Sequence, residues 1–455
     1  LCVFVACGIV AWAYSKKGWR KKPGYIGRIL RLADRAVYYY VGMGFTPKLK
    51  ILLGFYQVCI VLTTTYSARL PIEYTSWTDK LAELVSIDWT AFLLPPQCLP
   101  FQSRLLAVTI TPASLIALLL LTGIGLRIHR RRIHRRRQLT RAQAPAEEEV
   151  SVVTAISAIP WYVEAALGLL EFMPAALILI FCFVPSVSAS IFRAWSCQAY
   201  TISPPGETLK EVSYMRQDAS VECYTEDHES ITALAIGLVV LWPAGSLVLF
   251  TSLLAACYKP LQAKTPNALT RATAFLHREY EKTWYWWEAV ELARKLVLTG
   301  FVLLIPEERA FVRLVVATLV CSFYAIVLAV VQPFKRVEDN VLAVATSLVL
   351  LLLFLATNWT TIFLGVEERY QEADPADVLG FGKLNAIVDT MIVLVAVALV
   401  FFLIGAVVAA RRVAKIPTIR LVSTKQPPEL NIVLGLTWHL FNSHIWSTGQ
   451  DAVKV

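Results

Sequence analysis

Long apolar runs separated by short, charge-rich connections dominate the chain. A bilayer core of ~30 Å needs ~20 mostly apolar residues at ~1.5 Å of rise each. Nine stretches read this way: 1–14 (incomplete), 49–67, 104–126, 150–190 (one span plus an approach segment), 231–257, 289–305, 310–331, 341–365 and 385–410. Backbone polar groups in lipid must be satisfied within their own segment, so the runs are predicted to be helices. Barrel strands would read as alternating segments of ~10 residues, and no such alternation is present. The predicted fold class is all-α: a polytopic transmembrane helix bundle of about nine spans.

Composition points the same way. The 455 residues are 57% apolar and 17% charged, with a mean hydropathy of +0.58. Soluble globular and disordered classes are disfavoured, since they would carry more charge and a more polar average. The net charge of +10 would suggest nucleic-acid binding in a soluble protein. In a membrane protein the basic residues are distributed by side, so the total has to be divided first.

That division is uneven. Segments 15–48, 127–149, 258–288, 332–340 and 411–455 hold 30 of the 43 Lys and Arg but only 11 of the 33 Asp and Glu. Segments 68–103, 191–230, 306–309 and 366–384 hold 8 basic and 18 acidic residues. The positive-inside rule makes the first set cytoplasmic, the N-terminus outside and the C-terminus inside. Basic runs such as Arg130–Arg132 and Arg135–Arg137 then serve as topogenic, lipid-facing anchors, and nucleic acid is not an expected partner.

The predicted organisation is an incomplete first helix (1–14) and a cytoplasmic pre-helix segment (15–48). Spans two to five follow with two disulfide-competent outer loops (49–257), then a cytoplasmic aromatic linker (258–288), spans six to nine (289–410) and a cytoplasmic tail (411–455). Only 14 apolar residues precede Ser15-Lys-Lys-Gly-Trp-Arg-Lys-Lys22, too few to span and in the wrong order for a signal peptide. An upstream extracellular part is the expectation. The tail has Pro417, Pro427, Pro428 and two Trp, and indicates no partner.

Of nine cysteines, Cys98, Cys197 and Cys223 fall in outer loops. Cys197 and Cys223 share one loop in an oxidising compartment and are the natural disulfide; Cys98 is the odd one, free to pair with either of them or with the upstream part. The membrane cysteines are read as packing residues. Asn358-Trp-Thr360 matches a glycosylation sequon but lies too deep in its span, which leaves Asn358 as a packing or pore-lining residue.

No enzyme chemistry is visible. All six histidines (His129, His134, His228, His277, His439 and His444) lie outside the spans, which removes paired haem ligands. His129 and His134 sit among arginines, and His439 and His444 lack the Glu of a zinc-protease motif, so no metal is expected. A phosphate-binding loop, a nucleophile elbow and a dinucleotide fingerprint are all missing, and no cofactor is implied.

Charges inside the spans are the better lead, because each costs several kcal/mol in lipid unless paired or hydrated. Trp284, Glu288, Glu291 and Lys295 recur at helical spacing and share a face, where Glu291 can pair with Lys295 or with Arg294. These five residues are candidates for a gating or coupling element joining the cytoplasmic linker to the bundle. Glu164 and Glu171, two turns apart, and Asp389 stacked with Asn385 are candidates for a cation pathway. The acidic outer surface favours cations over anions at any pore mouth.

Several stretches resemble one family: the C-terminal polytopic, transient-receptor-potential-like region of large cysteine-rich surface proteins with ephrin-receptor-like repeats, found in algae, oomycetes and ciliates. They are Leu49-Lys-Ile-Leu-Leu-Gly-Phe-Tyr-Gln57, Phe192-Arg-Ala-Trp-Ser-Cys197, Val221-Glu-Cys-Tyr-Thr-Glu-Asp-His228, Leu241-Trp-Pro-Ala-Gly245, Trp284-Tyr-Trp-Trp-Glu288 with Arg294-Lys295, and Gln332-Pro-Phe with Asp339-Asn340. The resemblance implies a cation-channel-like or sensory module in the plasma membrane, or another surface membrane such as a ciliary one. Its implied partners are the lipid bilayer, inorganic cations, a cysteine-rich ectodomain of the same protein, and further copies of the chain. Nine spans and the lack of a selectivity filter depart from animal channels of that type; Gly380-Phe-Gly382 is the filter-like candidate and reads better as a loop turn. The rival expectations are a non-conducting anchor or receptor for the ectodomain, and a lipid or solute transporter, for which the spans lack internal symmetry.

Overall fold

The structure is a computed structural model that describes residues 45–66, 76, 100–141, 160–202, 210–263, 265–305, 309–369 and 384–415. The expectations for 1–14, most of 15–48, Cys98, Gly380–Gly382, the tail beyond residue 415 and the side chain of Asn385 lie outside the described residues. Eight of the nine apolar stretches coincide with helices: α1 (Phe45–Thr65), α2 (Phe101–Arg141), α3 (Trp161–Phe192), α4 (Glu226–Gln262), α7 (Trp287–Thr299), α8 (Ala310–Val331), α9 (Val337–Arg369) and α10 (Leu384–Lys415). Two short helices, α5 (Ala268–Ala272) and α6 (Ala274–His277), connect α4 to α7.

Six of these helices, α2, α3, α4, α8, α9 and α10, are long and apolar enough to cross a membrane. The other two are not in that set. α1 carries Lys48 and Lys50 in its first turns, and α7, with 13 residues, spans only ~20 Å. Residues 289–305 therefore do not form the single spanning helix expected of them. The helix stops at Gly300 and continues as a 3-10 turn, Phe301–Leu304. A Cβ at Gly300 would stand 2.5 Å from the ring of Phe192, so glycine is what lets the chain pass the end of α3 there.

Helix contacts use small residues where backbones must come close. α2 and α3 cross at Gly123 and Gly168, where a Cβ on either would lie within 2.8 Å of the other's carbonyl oxygen. In α4, Pro243 lacks an N–H and would clash in regular geometry; the helix absorbs it as a π turn, Val240–Ala244, with Trp242 and Pro243 buried.

Two cores result. One joins α2, α3, α4 and α7 as far as Leu296, through residues such as Leu105, Val184, Phe250 and Leu292. The other joins α1, α8, α9 and α10, through Leu62, Leu314, Phe354 and Val395, and takes in Leu298 from the end of α7. The short helix α7 thus contributes to both.

The loop between α3 and α4 departs from the all-α expectation. It forms a three-stranded antiparallel meander, β1 (Cys197–Ile202), β2 (Lys210–Met215) and β3 (Asp218–Glu222), paired from Cys197↔Met215 to Ile202↔Lys210. Tyr200 and Tyr214 lie on adjacent strands with ring centroids 6.4 Å apart, a cross-strand pair of the kind that stabilises sheets. Cys197 and Cys223 form the expected disulfide. Beside it, His228 accepts a hydrogen bond from the Tyr224 N–H at Nδ1 (3.3 Å) and donates from Nε2 to Ala194 O (3.1 Å). That tautomer satisfies both ring nitrogens, and with both sulfurs in the disulfide the Cys197, Cys223 and His228 group is a structural junction.

The meander also meets α2. The N–H of Phe101 donates to Asp218 Oδ2 at 3.0 Å, and Arg104 donates to Gln217 O at 2.7 Å. Opening the disulfide removes a cross-link across 26 residues and is expected to lower stability by about 3 kcal/mol. Cys197→Ser and Cys223→Ser, alone or together, should give the same loss in thermal melts of the purified chain, because each breaks one bond.

Candidate functional site

The residues read as a coupling element do come together, around α7. Trp284 is the exception in register: it belongs to a 3-10 turn, Lys282–Trp284, and α7 begins only at Trp287. The linker is pinned just before it. Tyr280 bridges Phe334, and the Glu281 N–H donates to Pro333 O at 2.8 Å, which holds the chain out of helical geometry. Trp284 still packs edge-on against Trp287, with centroids 6.0 Å apart.

Glu288 and Lys295 are each 1% exposed, two turns apart on α7. Lys50 of α1 forms an ion pair with Glu288 and also donates to Phe275 O at 3.0 Å. The hydroxyl of Tyr280 donates to the same carboxylate at 3.0 Å. Burial together with the Glu288 charge raises the Tyr280 phenol far above its ordinary range, so it stays a donor.

Of the two partners open to Glu291, the structure selects Arg294, at 2.5 Å. Tyr324 of α8 donates to Glu291 as well, receives the Trp287 Nε1–H at 3.3 Å, and lies under the Arg294 guanidinium, 4.4 Å from ring centroid to Cζ. A further buried pair, Lys48 to Asp339 at 2.5 Å, ties α1 to the first turn of α9.

The turn before α9 explains another part of the pattern. Gln332 ends α8 in the left-handed region (φ 46°), and Asn340 closes the turn by accepting the Phe334 N–H and donating to Phe334 O. Lys48, Lys50, Asp339 and Tyr324 belong to the site and were missed as site residues. The available signal was that Lys48 and Lys50 open an apolar run, where charge is costly unless paired.

The proposed cation-pathway residues do not gather at one place. Glu164 and Glu171 do share a face of α3, but that face meets α2, where Arg127 pairs with Glu164 (3.0 Å) and Arg130 with Glu171 (3.2 Å). Asp389 is exposed on α10. Asn358 is a packing residue: its amide donates to Thr318 Oγ1 of α8 and to Phe354 O, both at 2.9 Å.

At the edge of the cluster, His277 is buried and its Nε2–H donates to Thr270 O at 3.1 Å. Burial, with smaller contributions from Lys335, Arg278 and Lys50, holds its pKa below the ordinary value of 6.5. The unfolded chain therefore binds the proton more readily, and His277 stabilises the linker fully only above about pH 6.5. The protection factors of the 270–286 amides, that is, their exchange relative to the intrinsic rate at each pH, should fall as pH drops below that value, and His277→Phe should flatten the dependence.

No family model, no curated protein and no solved structure matches the chain, so its function has to be read from the chemistry of these residues.

Proposed function

We propose that the chain is a channel-related sensory protein of a surface membrane, of transient-receptor-potential-like type, with the α7 cluster as its coupling element. In this reading the N-terminus lies outside, the C-terminus inside, and the chain crosses the plasma membrane or a related surface membrane nine times, one crossing being made by α7 together with the 3-10 turn Phe301–Leu304 in place of a single helix. The β-meander faces the exterior and the 258–288 linker the cytoplasm. The division of charge between connections supports that orientation.

One observation carries the reading. Two buried ion pairs join helices, Lys50 of α1 with Glu288 of α7 and Lys48 of α1 with Asp339 in the first turn of α9, and the intrahelical pair Glu291–Arg294 beside them is held to α8 by Tyr324. Buried pairs add little net stability over apolar packing, and their retention in membrane helices marks functional positions. A cluster that binds the linker to both cores is placed to pass a linker movement into the bundle.

Whole-cell recording under stretch, voltage steps and osmotic change tests the proposal. Cation current that shifts its activation in Glu288→Gln supports it; no current in cells with verified surface display removes it. The second reading, a non-conducting surface receptor or anchor, is favoured by the pairing of Glu164 and Glu171 with α2 arginines and would be the outcome in the latter case.

A further inference from the structure

The α7 cluster contains a hydrogen-bond donor and an acceptor that line one small cleft and do not reach each other. Lys50, Lys48 and Arg294 each pair directly with a carboxylate. The Lys295 ammonium makes no hydrogen bond or ion pair among the described residues, although the residue is only 1% exposed. Its Nζ stands over the ring of Phe181, 4.0 Å from the centroid. Glu288 is half engaged: Lys50 and Tyr280 both bond its Oε2, and Oε1 accepts nothing among the described residues.

The cleft that Lys295 and Glu288 line has a cavity volume of about 30 Å³. A water needs ~10–15 Å³ of such space, so about two fit and a hydrocarbon chain does not. Charge in the lining is balanced, with Glu279, Glu288 and Glu291 against Lys50, Arg294 and Lys295, and calls for no added ion. What the two groups need is hydrogen bonds, since a sequestered donor or acceptor left unpaired bears its full desolvation cost. An ammonium only donates and a carboxylate only accepts; a water can accept from the first and donate to the second. Gly54 of α1 keeps the ammonium in place, because a Cβ there would lie 2.6 Å from Lys295 Cε and 2.7 Å from Nζ.

We propose that the cleft is a water site, in which one or two ordered waters accept from Lys295 Nζ and donate to Glu288 Oε1. Glu288 then divides its oxygens between Lys50 of α1, directly, and Lys295, through water. The water site deepens the coupling reading above and rests on it only for what a linker movement does. A movement that draws Lys50 away leaves Glu288 with a hydrated counter-charge already beside it, so the element changes partner without orphaning a buried carboxylate.

Hydroxyl-radical labelling of the full chain in phosphatidylcholine nanodiscs, by a brief X-ray pulse, tests the site, because radicals born from ordered water modify the side chains next to it. Phe181 lines the cleft, and Phe183 lies two residues further along α3 in the core shared with α2 and α4. Both are 4% exposed, so exposure alone predicts equal rates. Phe181 should label several-fold faster than Phe183 in the wild-type chain. Lys295→Arg, which keeps the donor, should preserve the difference, and Lys295→Met should abolish it.

Equal rates at Phe181 and Phe183 in the wild-type chain overturn the proposal, and that comparison needs no variant to fold. So does a fast Phe181 that Lys295→Met leaves unchanged while the fully buried Phe354 stays slow, the sign of a folded chain. Neither outcome depends on ion current. Current without fast labelling removes the water site alone, and fast, Lys295-dependent labelling without current removes only the channel reading.

Discussion

Asp339→Leu and Lys48→Met should each destabilise the folded chain by about 3–5 kcal/mol, the cost of leaving a buried charge without its partner. The side chains are 0% and 2% exposed, and the pair joins α1 to the start of α9 across 291 residues of sequence. The loss reports the orphaned charge more than the strength of the pair. The double variant Lys48→Met with Asp339→Leu should therefore recover most of the stability, and it should melt above either single variant. Thermal melts of the four proteins in one detergent decide this. Additive losses would mean that the two residues do not interact as described.

Glu288→Gln should have the second largest effect, and a functional one. The amide oxygen can still accept from Tyr280, but Lys50, with its side chain 10% exposed, loses its counter-charge. A loss of about 3 kcal/mol is expected, with Lys50→Met restoring much of it in the double variant. If the cluster only holds the fold together, the rescued double variant should also regain wild-type responses. If it couples the linker to the bundle, stability returns while the response to stimulus stays altered. Comparing melting temperature with stimulus dependence in the same two variants separates the roles.

Hydropathy made the helices legible with little ambiguity. The expected run 310–331 coincides with Ala310–Val331, and 385–410 falls within Leu384–Lys415, because long apolar segments have few alternatives in lipid. The end of α7 was not legible: Val297 to Leu304 is uninterruptedly apolar but for Thr299 and Gly300, and only the approach of Phe192 shows why the helix breaks there. The β-meander was missed for a similar reason. Its strands are five or six residues long with only about half their positions apolar, and the contact that seats them, from Asp218 of β3 to the Phe101 N–H at the start of α2, comes from a distant part of the chain.

The candidate site was half legible. Glu288, Glu291, Arg294 and Lys295 stood out because charges inside an apolar run are rare, and the shared face was correct for the residues within α7. Their partners were not, since Lys50, Tyr324 and Asp339 lie on other helices, and helical spacing carries no information about contacts between helices. The same limit applied to Glu164 and Glu171: their common face was read correctly, but the arginines opposite it on α2 are visible only in the fold.

The claim beneath all of this is that the meander and the α5–α7 linker lie on opposite sides of a membrane, at the two ends of α4. That helix is continuous from Glu226 to Gln262, ~55 Å along its axis. The direct measurement is labelling of Tyr224→Cys and Arg278→Cys chains with a membrane-impermeant maleimide, in intact and in permeabilised cells. Both positions are exposed, Tyr224 at 81% just before α4 and Arg278 in the linker that follows it. The account predicts that the cysteine at 224 reacts in intact cells and the one at 278 only after permeabilisation. Reaction of both in intact cells, or of 278 before 224, would contradict it.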